Sequence, residues 1–405
     1  MNEKLKIGYL VPQFPGQTHI FFWRELLEME RLGAQPQVFS TRMPPSGLIS
    51  HSWSDQAIVR TRYLGRPRLG DLIGCLGSLP YRELLAELRR HGLDMLKDIL
   101  ICAPAARRLL RECRALGIEH VHIHSCGRAA LIGALANRMG GLRYSITLHG
   151  PLQDYGIGQR IKWRHAAFAT IITEKLLAEM QVELSADLPD RLVVQPMGVD
   201  IEALARVEPY QPAGAGQVLR LFCCGRLNIV KGHQDLMQAV AILIARGIDV
   251  QLEIAGEDDE GGQGYHQELA AHLLALNLQD HVTLLGAVDA DKVRDKLHGA
   301  HIFALASWSE PLGVAYMEAM ACGVPTIGTN AGGVPELIED GVDGCLVPPQ
   351  NPEALADMIE AIANDPVFAV ALGQKGRERI VSGFRSTLGA EVLLREIAAY
   401  KSGTA

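Results

Sequence analysis

Two doubly wound α/β domains are predicted for this chain of 405 residues. Three observations predict them: an aliphatic rather than aromatic apolar complement, two successive runs of alternating strand and helix patterns, and a turn-rich break between the runs. Hydrophobic residues make up 48% of the chain but aromatics only 5%. The cores must therefore be filled mostly by Val, Ile, Leu and Ala, as in parallel strands covered by helices on both faces. The length suffices for two or three domains of roughly 100–200 residues each.

In the first run, short β-rich segments at Ile7–Val11, Gln37–Ser40, His120–His124, Ser145–Leu148, Thr170–Thr173 and Arg191–Gln195 read as strands. Helical spacing at His19–Leu32 and Ala103–Leu116 falls between them. This βαβ alternation predicts a mostly parallel sheet. Between Arg60 and Gly117 the pattern changes to an Arg-rich stretch with helical spacing. There Arg66, Arg68, Arg82, Arg89 and Arg90 are interleaved with Leu, Ile and Tyr. Such a stretch reads either as an amphipathic surface for a membrane or lipid-linked ligand, or as a helical insertion with snorkelling arginines.

Pro209–Gly216 is the clearest linker. Beyond it, strands are expected at Leu219–Cys224, Gln251–Ala255, Val282–Leu285, His301–Leu305, Pro325–Gly328 and Gly344–Val347. Helices are expected at Gln234–Arg246, Tyr265–Leu276, Ala290–Leu297 and Val314–Cys322. The division is thus residues 1–208, residues 209–385, and a C-terminal helix at 386–405 that crosses back onto the first domain.

Composition narrows the functional classes. No uncharged apolar run approaches the roughly 18 residues of a membrane span, and the N-terminus has no signal-peptide core. A cytoplasmic protein is expected, with a peripheral place on the inner face of the membrane as its one membrane option. The eight cysteines form no C-x-x-C pair and read as reduced core residues. Net charge is −7, and no nucleic-acid partner is expected. The charge is uneven: residues 1–200 hold 25 Lys and Arg against 19 Asp and Glu, and the remainder 14 against 27. The basic half suits anionic lipid or a phosphate-bearing acceptor, or is simply a solvated surface.

Three elements of the second domain carry chemistry. Gly225-Arg226-Leu227-Asn228-Ile229-Val230-Lys231-Gly232 follows an apolar strand. Gly225 allows a ligand close to the backbone, and Arg226 and Lys231 set two cations where open α/β sheets bind ligands. Ser307–Gly323 contains Glu310-Pro311-Leu312-Gly313 and opens a helix. Pro311 is expected at its edge, and the N–H groups of Leu312, Gly313 and Val314 are expected to face an anion. Glu318 stands alone in that apolar helix, and a buried carboxylate needs donors such as ribose hydroxyls or an Arg. Gly332-Gly333-Val334-Pro335-Glu336 forms a third wall. Asp258-Asp259-Glu260 reads as a solvated loop. His120, His122 and His124 share one face of a strand. They read as a strand-edge cluster in preference to a zinc site with Cys126.

The Gly-Arg-x4-Lys-Gly element, the paired Glu310 and Glu318, and Gly-Gly-x-Pro-Glu together resemble the retaining glycosyltransferases of family 4, which have the GT-B architecture of two Rossmann-like domains facing a cleft. In the first domain, Phe14–Ile20, His122–His124, Leu148-His149-Gly150 and Gln195–Asp200 are similar to that family's acceptor loop, inner strands and closing turn. Gln17 and His19 depart from the Glu and Phe frequent in polysaccharide-building members. The resemblance implies a nucleotide diphosphate sugar as donor, no metal and no other cofactor. It implies that Arg226 and Lys231 neutralise the leaving diphosphate, Glu318 holds the ribose, Glu310 contacts the transferred sugar, and His149 hydrogen-bonds a sugar hydroxyl. Gly225, Leu312, Gly313, Val314 and Val288 would complete the donor site, the last near the base. Gly16, Gln17 and Thr18 would face the acceptor, expected to be a lipid-linked glycan of cell-surface polysaccharide synthesis. A soluble small-molecule acceptor and a non-catalytic sugar-nucleotide-binding subunit are the alternative readings.

Overall fold

The computed structural model describes residues 5–17, 19–44, 51–214, 216–258 and 261–402. The chain forms two compact units. One is built from the N-terminal residues, Trp53–Pro196 and the C-terminal segment from Gly389, the other from Met197–Leu388. Pro209–Gly216 falls inside the second unit in this division.

The first unit holds a seven-stranded sheet. Its strands are β1 (Lys6–Gln13), β2 (Gln35–Arg42), β3 (Thr61–Tyr63), β4 (His120–Ile123), β5 (Arg143–Leu148), β6 (Ala169–Ile171) and β7 (Leu192–Val194). The order is β3-β2-β1-β4-β5-β6-β7, and every pairing is parallel. In β1 the run Ile7–Val11 has no alternation of burial, because both faces are covered. Helix Ile20–Arg31 buries Phe22, Leu26 and Met29. Full burial of each such side chain contributes roughly 1.5–3 kcal/mol. The C-terminal helix Ser386–Ser402 belongs to the same core through Ala390, Leu393 and Ile397, and Glu396 pairs with Arg191 at 2.9 Å.

Two features differ from the sequence expectation. Strand β3 was not foreseen. It is a three-residue edge strand with exposed Arg62, too short to show a period. Ala103–Leu116 is the end of a longer helix, Tyr81–Leu116, broken at Gly92, where φ is +59°.

The second unit repeats the plan with β8 (Leu219–Cys224), β9 (Val250–Ala255), β10 (Val282–Gly286), β11 (Ile302–Ala304), β12 (Thr326–Thr329) and β13 (Cys345–Val347). All pairings are parallel, in the order β10-β9-β8-β11-β12-β13. In each unit the strand order reverses beside the first strand, at β1/β4 and at β8/β11. A crevice outside the carboxyl ends of the strands opens at such a reversal.

Candidate functional site

The second unit gathers its expected residues at the β8/β11 reversal. After β8 the chain enters the loop from Gly225 and a short turn at Ile229–Lys231. Gly232 closes that turn with φ +66°, and a Cβ there would lie 1.9 Å from the carbonyl oxygen of Ala306. Only glycine lets the loop rest on the end of β11. Lys231 is thereby brought to Glu310, and its Nζ forms an ion pair with Oε2. Ser307 Oγ donates to the same oxygen at 3.3 Å. Gly332 has φ +65°, and its Cβ would meet the carbonyl oxygen of Glu310 at 2.0 Å. Gly333 N donates to that oxygen at 2.8 Å. The loops after β8, β11 and β12 thus meet around one mostly buried carboxylate–ammonium pair.

Partners unseen in the sequence steady this arrangement. His233 is fully buried, with Nε2 3.1 Å from the carbonyl oxygen of Arg226. Burial holds its ring near pKa 4, so it is neutral and donates to that carbonyl. Trp308 Nε1 donates to Asp235 at 2.6 Å, and Trp308 N donates to Val230 O at 2.8 Å. Arg226 itself is exposed.

The helix after Glu310 begins later than expected. It runs Val314–Ala321 with Gly313 as its N-cap and no side-chain cap. Its leading N–H groups are therefore those of Val314, Ala315 and Tyr316, and Pro311 lies outside it. Leu312 is buried, so an apolar side chain anchors the loop ahead of the helix. Glu318 is half-buried rather than enclosed. It faces the end of β8, since its charge adds to the burial that pushes the Cys224 thiol up to about 12. Val288 is half-buried in the connection between β10 and helix Ala290–Gly299. Asp258 is not solvated: it is buried and accepts N–H groups from Gly262, Gly264 and His266 at 2.9–3.0 Å. A carboxylate satisfied in this way organises the turn into helix Tyr265–Ala275.

In the first unit the β1/β4 reversal collects Gly16, Gln17, His124 and His149. Thr18 lies outside the described residues. A Cβ on Gly16 would fall 2.5 Å from His19 Nδ1, and Gly16 O accepts from His19 N at 3.0 Å. His149 follows β5, with Nε2 3.2 Å from His124 Nδ1. His124 Nε2 stands 3.0 Å from Glu25 Oε2, and Tyr9 OH donates to the same oxygen at 2.8 Å. Burial pushes Glu25 upward and holds the His124 and His149 rings near 3. His120 and His122 line the same face, but hydroxyls engage them: Ser145 reaches both at 2.8 Å, and Thr147 reaches His122 at 2.7 Å. Among the described residues no cluster suited to a metal ion occurs. Glu25 escaped sequence reasoning, yet it had a signal: with Phe22, Leu26 and Met29 it completes an i, i+3, i+4, i+7 stripe in which it alone is charged.

The Arg-rich stretch folds into helices Leu69–Leu76 and Tyr81–Leu116. Leu69, Ile73, Leu76, Leu85, Leu93 and Leu100 are more than half exposed, beside exposed Arg66, Arg68, Arg82, Arg89 and Arg90. Among the described residues no helix is long and apolar enough to cross a membrane.

Residues 215–379 match the family of glycosyl transferases group 1. The chain is 32% identical over 206 residues to a D-inositol 3-phosphate glycosyltransferase of Arthrobacter sp. (strain FB24), covering 49% of this chain and 47% of that protein. It is 28% identical over 304 residues to the GDP-mannose-dependent alpha-(1-6)-phosphatidylinositol monomannoside mannosyltransferase of Mycolicibacterium smegmatis, covering 71% and 78%. The matched region spans about half the length of the first of these relatives. The crystal structure of Anabaena HepE in complex with UDP superposes with a TM-score of 0.75 at 19% identity, covering 98% of this chain and all of the other. That likeness establishes a shared GT-B fold of two Rossmann-like domains. The likeness to the glycosyl transferases group 1 thus lies in residues 215–379, the part of the chain that carries the Lys231–Glu310 pair.

Proposed function

We propose that the protein transfers a sugar from a nucleoside diphosphate onto an acceptor hydroxyl with retention of configuration and without a metal. The observation that carries this reading is the convergence of three loops on Lys231 and Glu310 at the β8/β11 reversal. Arg226, Lys231 and the uncapped start of helix Val314–Ala321 supply positive potential for a departing diphosphate. Glu318, half-buried toward β8, is suited to ribose hydroxyls, and Glu310 to the hydroxyls of the sugar. Gly225, Leu312, Gly313, Val314 and Val288 frame the same donor. The acceptor oxygen bonds to the anomeric carbon as the bond from that carbon to the phosphate oxygen breaks. The acceptor proton passes to a phosphate oxygen on the same face. No nucleophilic carboxylate is required.

The acceptor side is assigned to Gly16, Gln17 and Thr18, with His149 hydrogen-bonding a sugar hydroxyl. A lipid-linked glycan is the favoured acceptor, because exposed leucines and arginines share the Leu69–Leu116 helices and form a surface suited to anionic lipid. A peripheral, cytoplasmic-face location and a role in cell-surface polysaccharide synthesis follow from that acceptor.

Turnover of a panel of sugar nucleotides tests the core of the reading. Arg226→Ala and Lys231→Ala are each expected to lower turnover about 10²-fold with folding intact. Unchanged turnover in both variants removes the diphosphate site.

A further inference from the structure

The β1/β4 reversal contains a largely buried chain of groups that donor chemistry alone does not call for. Its three members lie on separate elements of the first unit: Glu25 on helix Ile20–Arg31, His124 just after β4, and His149 just after β5. The contacts are His149 Nε2 to His124 Nδ1 at 3.2 Å and His124 Nε2 to Glu25 Oε2 at 3.0 Å. The second is a charge contact and not a hydrogen bond. Tyr9 OH donates to the same carboxylate oxygen. On the other side, a Cβ at Gly389 of the C-terminal helix would lie 2.8 Å from Glu25 Oε1. The carboxylate is therefore confined on two sides and cannot swing away freely. His149 Nδ1, at the far end of the chain, is buried and has no hydrogen-bond partner among the described residues.

This geometry dictates where the ring protons sit. A bare nitrogen lone pair 3.0 Å from a carboxylate oxygen is repelled, whereas an N–H is attracted. His124 therefore carries its proton on Nε2, which leaves a lone pair on Nδ1. His149 Nε2, facing that lone pair, must be the donor. Its own lone pair is then on Nδ1, the unpartnered atom. His122, which packs against His124, is satisfied by Ser145 and Thr147 and does not compete. We propose that Glu25 is a positioning residue which, through His124, locks His149 in the Nε2–H tautomer and presents Nδ1 as a hydrogen-bond acceptor for a ligand hydroxyl. Buried polar atoms nearly always find a partner, and a hydroxyl donor is the complement of this one. The hydroxyl's identity as one on the transferred sugar or its acceptor rests on the transferase reading; the tautomer does not.

Imidazole ¹⁵N spectra of the full chain, labelled at histidine, test the assignment without any ligand. Loss of the His149 signals in His149→Gln identifies them. The wild type is expected to show a protonated Nε2 and an unprotonated Nδ1. Glu25→Gln, whose amide oxygen can still accept from Tyr9 and turn its negative end toward the His124 N–H, is expected to keep that pattern. Glu25→Leu is expected to lose it, the two nitrogen shifts converging as the tautomers interchange. A protonated Nδ1 in the wild type, or an unaltered pattern in Glu25→Leu, overturns the proposal. The wild-type spectrum can overturn the proposal even where Glu25→Leu fails to fold. Failure of the chain to bind UDP or GDP, with the wild-type pattern as expected, removes the transferase reading and leaves the relay standing.

Discussion

Lys231 and Glu310 neutralise each other in the second unit, and that pairing sets what each single substitution does. A diphosphate entering the site competes with Glu310 for the ammonium group. Removing the Glu310 charge therefore frees Lys231 for the ligand while withdrawing a hydrogen-bond acceptor from the sugar. Glu310→Gln is expected to weaken binding of an intact sugar nucleotide while leaving nucleoside diphosphate affinity unchanged or higher. Glu318, half-buried beside the end of β8, is assigned to the ribose and not to the sugar. Glu318→Gln is expected to weaken both ligands alike, since both carry the ribose. Calorimetric titration of each variant with UDP and UDP-glucose, and with GDP and GDP-mannose, separates these patterns. Equal losses for both ligands in Glu310→Gln would exclude its assignment to the sugar.

At the scale of single elements, the site depends on loops held against one another by backbone contact. Gly332 lies in the left-handed region, and a side chain there would strike the carbonyl oxygen of Glu310 at 2.0 Å. Backbone of that kind cannot yield as a flexible side chain can. Gly332→Ala is therefore expected to destabilise the protein by more than the ~1 kcal/mol of conformational preference alone and to weaken nucleotide binding, because the loop after β12 must retreat. Thermal unfolding with and without added nucleotide reads both effects. A variant with wild-type stability and affinity would mean that the loop accommodates the methyl group without moving.

Two properties belong to the whole molecule. The first is the response to acid. His120 and His233 are both fully buried, and burial holds their rings near 3 and near 4. The unfolded chain takes up these protons below about pH 6.5, whereas the folded chain does not. The unfolded state thus binds more protons, and stability is complete above about pH 6.5 and declines as pH falls toward 4. Each such histidine contributes a slope of up to about 1.4 kcal/mol per pH unit. Urea titrations between pH 7.5 and 5 are expected to show this loss before most carboxylates titrate, and a flat profile there would show that the rings are protonated in the folded state. The second is the surface. Liposomes with anionic lipid are expected to sediment the protein at low salt, with each nearby basic residue worth about 1 kcal/mol. Binding should fade as the Debye length shrinks to about 8 Å. Replacing Arg66, Arg68, Arg89 and Arg90 by Ser should release it without loss of nucleotide binding. Protein that stays in the supernatant at low salt would favour a soluble acceptor.

Strand alternation, the parallel sheets and the three loops bearing Lys231, Glu310 and Gly332 are all legible in the amino-acid sequence. These features are local: apolar runs of strand length, helical spacing and glycines at strand ends are each written within a few residues. It erred where local signals weaken or mislead. β3 is three residues long, and Pro311 resembles a helix start although Gly313 makes the turn. Asp258 sits in an acidic run that reads as solvated, yet three backbone N–H groups enclose it. Which side chains meet emerges with the fold. Lys231 and Glu310 are 79 residues apart, and Glu25, His124 and His149 come from three separate elements. Their contacts follow from strand order, which brings β1 beside β4 and β8 beside β11 while the intervening chain packs elsewhere. That order is fixed by the burial of whole helices and strands, a global balance that no short stretch of sequence records.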